Sequence, residues 1–179
     1  MPPYHPPSGF PQFPFFLDQD GDIATQDKPH VADNEQWVVI YVEDSIDDAM
    51  FAKRIMMHSP YIDQVITLPD GQALFHFLED LQAAKGTVPD RHFMIILDIL
   101  LPGQDGLFLL QALKGSPLTE SMPVMIMSGV QDLNMVYDSY TAHANGYLHK
   151  PFRPEYLNDL HAVMVKGSSW KTGSDTGHA

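Results

Sequence analysis

The chain contains no cysteine, which excludes disulfides, thiolate catalysis and Cys-ligated zinc. It is short of basic side chains: 10 Lys and Arg stand against 23 Asp and Glu, a formal net charge of −13. That balance argues against non-specific attachment to nucleic acid or to an anionic membrane. No apolar run approaches the roughly 20 residues of a spanning helix. No basic region opens the chain and prolines break its first apolar segment, so no signal peptide is expected. The expected setting is the cytoplasm, with neither nucleic acid nor membrane as partner. What the chain does have is 44% hydrophobic residues over 179 positions, enough for one domain with a real core.

Residues 1–36 stand apart as a Pro- and aromatic-rich N-terminal arm. Pro2, Pro3, Pro6, Pro7, Pro11 and Pro14 interrupt any helix or ladder. Phe10, Phe13, Phe15, Phe16 and Leu17 are too proline-spaced to make a regular apolar face. Two readings stay open: a flexible arm, or one whose aromatics pack on this domain or on a partner. Asp18-Gln19-Asp20-Gly21-Asp22 looks like the start of a calcium loop. The twelfth position, where such a loop needs a bidentate Glu, is Pro29, so the segment reads as an acidic turn.

From Trp37 the pattern turns regular. Trp37–Val42 reads as a buried strand, followed by a helix to about His58 with Ser45 as N-cap. Ile46, Ala49, Met50, the Lys53 stem, Ile55 and Met57 are expected on its inner stripe. Gln64–Leu68 is a second strand. Asp70 caps a helix from Gly71 to about Ala84, with Leu74, Phe77, Leu78 and Leu81 on one face. The third strand ends at Asp98. A helix from Gly106 to Lys114 is stopped by Gly115. Val124–Met127 leads to Ser128, and a helix follows over about 132–143. Gly146–Lys150 is a short fifth strand, and Pro154 opens a last helix to Lys166. Residues 167–179 form a polar tail, expected to be flexible. Alternating βα units imply a parallel sheet with helices on both faces.

Parallel strands deliver their C-terminal residues to one edge, where open α/β sheets bind ligands. Strand one brings Glu43 and Asp44, strand three Asp98, strand four Ser128 and strand five Lys150. Three carboxylates together repel one another and call for a divalent cation among them. Hard oxygen ligands suit Mg²⁺ or Mn²⁺. Ser128 adds a hydroxyl and Lys150 a compact charge suited to phosphate. Each alone is weak: a terminal Asp is usually a cap, and a lone Lys is usually solvated. Together, at four strand ends of one pattern, they describe a phosphoryl-transfer site.

Val42-Glu43-Asp44, the run from Asp98 through Pro102 to Asp105-Gly106, Met127-Ser128-Gly129 and Tyr147-Leu148-His149-Lys150-Pro151-Phe152 occur in that order. On these motifs, residues 37–166 resemble the CheY-like receiver domain of two-component response regulators. The resemblance implies a flavodoxin-like (βα)5 doubly wound parallel sheet with strand order 2-1-3-4-5. It also implies roles. Asp98 would accept a phosphoryl group from a sensor histidine kinase or phosphotransfer protein. Asp44, Asp98 and the Leu100 backbone carbonyl would bind Mg²⁺ (or Mn²⁺), with Glu43 acting through a metal-bound water. Lys150 would pair with a phosphoryl oxygen, and Ser128 would hydrogen-bond the group after its arrival. Tyr147 would be the aromatic switch, against the alternative that it simply packs at a strand end. The Lys150-Pro151 bond would be cis, and Gly129 would leave room beside the phosphoryl group.

Such a protein is not an enzyme in the metabolic sense; it catalyses only its own phosphorylation and dephosphorylation. Leu100 and Val130, two residues beyond Asp98 and Ser128, are apolar and cannot orient a water, so slow autodephosphorylation is expected. With only residues 167–179 after the last helix, a single-domain regulator is expected. The long connections at 85–92 and 115–122 are similar to those of single-domain regulators paired with phytochrome-type kinases. Regulators of that kind often dimerise, so a homodimer would give the arm's aromatics a use. A haloacid-dehalogenase-type phosphatase would need a second Asp where Leu100 stands. A phosphorylation-independent interaction module, or a dimeric scaffold with a relic receiver core, would have no need of the intact acidic set.

Overall fold

The computed structural model describes residues 36–84, 91–130 and 133–166. The N-terminal arm with its acidic turn, most of the 85–92 connection and the polar tail lie outside the described residues.

Among the described residues ten elements alternate: β1 (Trp37–Val42), α1 (Ile46–Met56), β2 (Ile62–Leu68), α2 (Gly71–Ala83), β3 (His92–Asp98), α3 (Gly106–Gly115), β4 (Val124–Ser128), α4 (Leu133–Thr141), β5 (Gly146–His149) and α5 (Tyr156–Lys166). The strands form one sheet in the order β2-β1-β3-β4-β5. All pairings are parallel. This is the flavodoxin-like arrangement expected from the sequence, and it places β1 and β3 side by side at the centre.

The two faces of the sheet follow the two-residue period of a strand. In β1, Trp37, Val39 and Tyr41 face one core, shared with Ala49, Ala52 and Ile55 of α1 and Leu157, Leu160 and Met164 of α5. Val38, Ile40 and Val42 face the other, shared with Leu74 and Leu78 of α2 and Leu109, Leu110 and Leu113 of α3. Ile95, Ile96 and Leu97 of β3 are fully buried. Each such side chain contributes about 1.5–3 kcal/mol by leaving water. That burial lets the central strand hold a carboxylate at its end.

The caps match the sequence. Ser45 accepts from the Asp48 amide and Asp70 from the Ala73 amide. Phe77 and Leu81 of α2 are half-buried beside Leu74 and Leu78. Other details differ. Ile46 and Met50 are not on the inner stripe of α1; they are 74% and 66% exposed, and Ala52 and Met56 are buried instead. Met50 lies about 100° round the helix from Ala49, and Ile46 belongs to the first turn, level with the strand-end loops. Gly115 is the last residue of α3 rather than its stop, and Ser116 is the C-cap. Pro154 opens a turn, not the helix: Leu157 N donates to Pro154 O, and α5 proper starts at Tyr156. β2 begins two residues earlier than the aliphatic run suggests.

Candidate functional site

The C-terminal ends of β1 and β3 bring Glu43, Asp44 and Asp98 together. One carboxylate oxygen from each lies within 4.8 Å of the others. Glu43 and Asp98 are buried at 3% and 2% exposure, whereas Asp44 faces solvent. Asp98 sits at the end of β3 because the strand runs apolar up to Leu97 and the chain then turns at Pro102-Gly103. Gly103 has φ +70, a backbone that side chains other than glycine rarely accept. Gly106 permits the turn to close on itself: a Cβ there would lie 2.5 Å from Ile99 Cα.

Lys150 is the cation of this cluster. Its Nζ lies 2.5 Å from Glu43 Oε2 and 2.5 Å from Asp98 Oδ2, with Asp48 Oδ2 at 3.8 Å. It follows β5 directly rather than ending it, and its peptide bond to Pro151 is cis as expected. Burial pulls the ammonium down, but hydrogen bonds and attraction from Asp98 and Glu43 outweigh it and raise the pKa above that of an ordinary lysine. Lys150 is therefore a permanent cation at physiological pH.

The remaining lone pairs are also occupied in part. Asp98 Oδ1 accepts from the Leu100 amide at 2.8 Å. Glu43 Oε1 accepts from the Ser45 amide at 3.1 Å. Tyr41, buried in β1, donates its hydroxyl to Glu43 Oε2 at 2.7 Å. Burial first, then Glu43, push the phenol pKa far upward, so Tyr41 acts as a donor and not as an anion. Sequence reasoning passed over Tyr41. Its signal was a hydroxyl inside an aliphatic run, two residues before Glu43 and so on the same side of the strand.

Ser128 is fully buried at the end of β4, yet its hydroxyl is not on Asp98. It accepts from the Val130 amide at 3.2 Å and lies 3.9 Å from Met135 Sδ. Its carbonyl accepts from the Lys150 amide, tying β4 to the residue after β5. Tyr147 donates its hydroxyl to Val130 O at 3.0 Å. Ser128 and Tyr147 thus meet through Val130, on the loop that leads to α4. A Cβ on Gly129 would have nothing within 4 Å, so open space exists there. Gln104 also escaped the sequence reading; its side chain accepts from the Gly71 amide at 2.7 Å and ties the β3–α3 turn to α2.

The donor set fits a hard divalent cation. All three side chains offer oxygen, and among the described residues no imidazole or thiolate joins them and only one ammonium opposes the three carboxylates.

An open doubly wound sheet with an acidic strand-end cluster and one lysine defines a class of proteins that handle phosphoryl groups through a carboxylate. Its relatives narrow that class. The model of the response regulator receiver domain matches residues 39–162, and the chain belongs to that family of two-component signalling proteins. It is 32% identical over 134 residues to response regulator Rcp1 of Synechocystis sp. (strain ATCC 27184 / PCC 6803 / Kazusa), covering 75% of this chain and 87% of the relative. The crystal structure of the Mn²⁺-bound form of Rcp1 superposes with TM-score 0.54 at 31% identity, covering 74% of this chain and 93% of that one. The crystal structure of a response regulator from Chloroflexus aurantiacus J-10-fl gives TM-score 0.58 at 27% identity, covering 73% and 98%. Sporulation initiation phosphotransferase F of Bacillus subtilis (strain 168) is 29% identical over 90 residues, 50% of this chain and 71% of that protein. Among the described residues no helix is long and apolar enough to cross a membrane.

Proposed function

We propose that this receiver domain is phosphorylated on Asp98 by a sensor histidine kinase or a phosphotransfer protein. The observation that carries the reading is the bridge from Lys150 Nζ to Asp98 Oδ2 and Glu43 Oε2, 2.5 Å each, beside the three-carboxylate cluster. An Asp98 oxygen attacks the phosphorus of the phosphohistidine, the P–N bond breaks, and the product is an acyl phosphate. Lys150, already a cation, shifts its contact from the carboxylate to a phosphoryl oxygen. Asp44, Asp98 and the Leu100 carbonyl would hold Mg²⁺ or Mn²⁺, with Glu43 acting through a water, and an ion bound there would supply charge neutralisation for the same oxygens.

Output follows from the added charge. Ser128 Oγ leaves its contact with the Val130 amide to bond the phosphoryl group, and the loop that Tyr147 holds through Val130 O moves with it. The result is a population shift at the face formed by α4, β5 and α5. A phytochrome-type kinase is the proposed donor, supported by the length of the connection from Ser116 to Pro123. The proposed setting is the cytoplasm and the proposed assembly a homodimer, which sedimentation would reveal.

The test is incubation with acetyl phosphate and Mg²⁺, read by intact mass. Wild type is expected to gain one phosphoryl group and Asp98→Asn none. A wild type that stays unmodified would favour an interaction module that works without phosphorylation.

A further inference from the structure

Tyr41 has no part in the phosphoryl chemistry proposed above, yet its hydroxyl reaches the site. The side chain is 1% exposed in the middle of the sheet. Its neighbours Val39, Ile40 and Val42 are aliphatic, and a phenylalanine would fill the same space. The hydroxyl instead lies between Glu43 Oε2 at 2.7 Å and Met127 Sδ at 3.3 Å. Met127 pairs in register with Asp98 across β3 and β4, so the phenol is fixed beneath the acidic cluster by the sheet itself.

The lone pairs of Glu43 show what this contact does. A carboxylate offers about four acceptor positions. Oε2 receives Tyr41 Oη and Lys150 Nζ, and Oε1 receives the Ser45 amide. One position is left, on Oε1. Without the phenol, a carboxylate whose side chain has no exposed surface keeps an empty acceptor position on Oε2, and its torsion loses a restraint.

We propose that Tyr41 is a positioning residue of the divalent-cation site: its hydroxyl pins Glu43 Oε2 toward Lys150 and leaves Oε1 as the oxygen that serves the hydrated ion. The proposal rests on the metal-dependent reading of the site given above. Outer-layer donors of this kind typically change metal affinity about 10-fold to 100-fold when removed.

Calorimetric titration of Mg²⁺ into metal-free wild type, Tyr41→Phe, Glu43→Gln and the double variant tests it. Tyr41→Phe is expected to weaken the dissociation constant about 10-fold. In the Glu43→Gln background the same change is expected to have no further effect, because Tyr41 acts through Glu43. Met127→Leu disturbs the same packing and keeps the hydroxyl; its affinity is expected to match wild type. Equal or tighter binding in Tyr41→Phe would overturn the proposal. So would a full additional loss in the Glu43→Gln background, or an equal loss in Met127→Leu, which would assign the effect to packing. Should Tyr41→Phe fail to fold, Glu43→Gln alone still tests the proposal: wild-type Mg²⁺ affinity in that variant would overturn it, because Tyr41 acts only through Glu43. Wild type that binds no Mg²⁺ would overturn the metal site itself, an outcome distinct from all of these.

Discussion

Leu100 and Val130 stand at the mouth of the site, 47% and 44% exposed, on the turns that follow Asp98 and Ser128. Neither side chain can orient a water toward the phosphorus of an acyl phosphate. Leu100→Asn is therefore expected to shorten the half-life of phosphorylated Asp98, measured by loss of label after removal of donor. An unchanged or longer half-life would reject a role for Leu100 in shielding the group. The residues that bear charge here were legible from the sequence because strand direction alone sends Glu43, Asp44, Asp98 and Lys150 to one edge. What was not legible depends on torsions. The Ser128 hydroxyl turns to the Val130 amide and Met135 rather than to Asp98, and sequence pattern carries no rotamer. Tyr41 was hidden for a different reason: in a strand buried on both sides, a tyrosine looks like one more apolar residue.

At the scale of elements, the β3–α3 turn is the least forgiving. The Cβ of Gly106→Ala would meet backbone at Ile99, which cannot swing aside as a side-chain tip can. A loss of about 1–3 kcal/mol in urea unfolding is expected. Gly115→Ala, with nothing within 4 Å at the end of α3, is expected to be neutral or to stabilise by up to about 1 kcal/mol. The far edge of the sheet carries a pH-dependent tie. Lys114 Nζ donates to Met122 O at 2.7 Å, Asn145 Oδ1 at 3.1 Å and Glu120 O at 3.3 Å, and Asn145 Oδ1 also accepts from the Val124 amide at 2.9 Å. Burial lowers the pKa of Lys114 to about 8. An unfolded lysine titrates near about 10.4. Below the lower value both states are protonated and the burial penalty is complete. Between the two values the unfolded chain binds more protons, so stability rises with pH. The unfolding midpoint of wild type relative to Lys114→Met should climb across that window, and a flat difference would contradict it. Element order and the N-caps Ser45 and Asp70 were read correctly from apolar period and Ser or Asp placement. The inner stripe of α1 was not, because Ile46 is in phase with Ala49 but belongs to a turn level with the strand-end loops.

For the whole molecule, sheet order and function are one argument. The order β2-β1-β3-β4-β5 puts β1 beside β3 and thereby Glu43 and Asp44 beside Asp98. It also puts β4 and β5 next to each other, so that Ser128 and Tyr147 share Val130 and the Lys150 amide rests on Ser128 O. Under the proposed phosphorylation, charge arriving at Asp98 would reach α4 through Lys150, Ser128 and the contact of Ser128 with Met135. Alternating βα units predicted a parallel sheet with helices on both faces, and the resemblance to receiver domains supplied the strand order, while the contents of the N-terminal arm offered no period to read. The most direct measurement is radiolabel transfer from a small phosphodonor with Mg²⁺, with label mapped by peptide analysis. The account predicts label on Asp98 in wild type, none in Asp98→Asn, and none in wild type once Mg²⁺ is chelated. Label on another residue, or full labelling without a divalent cation, would contradict it.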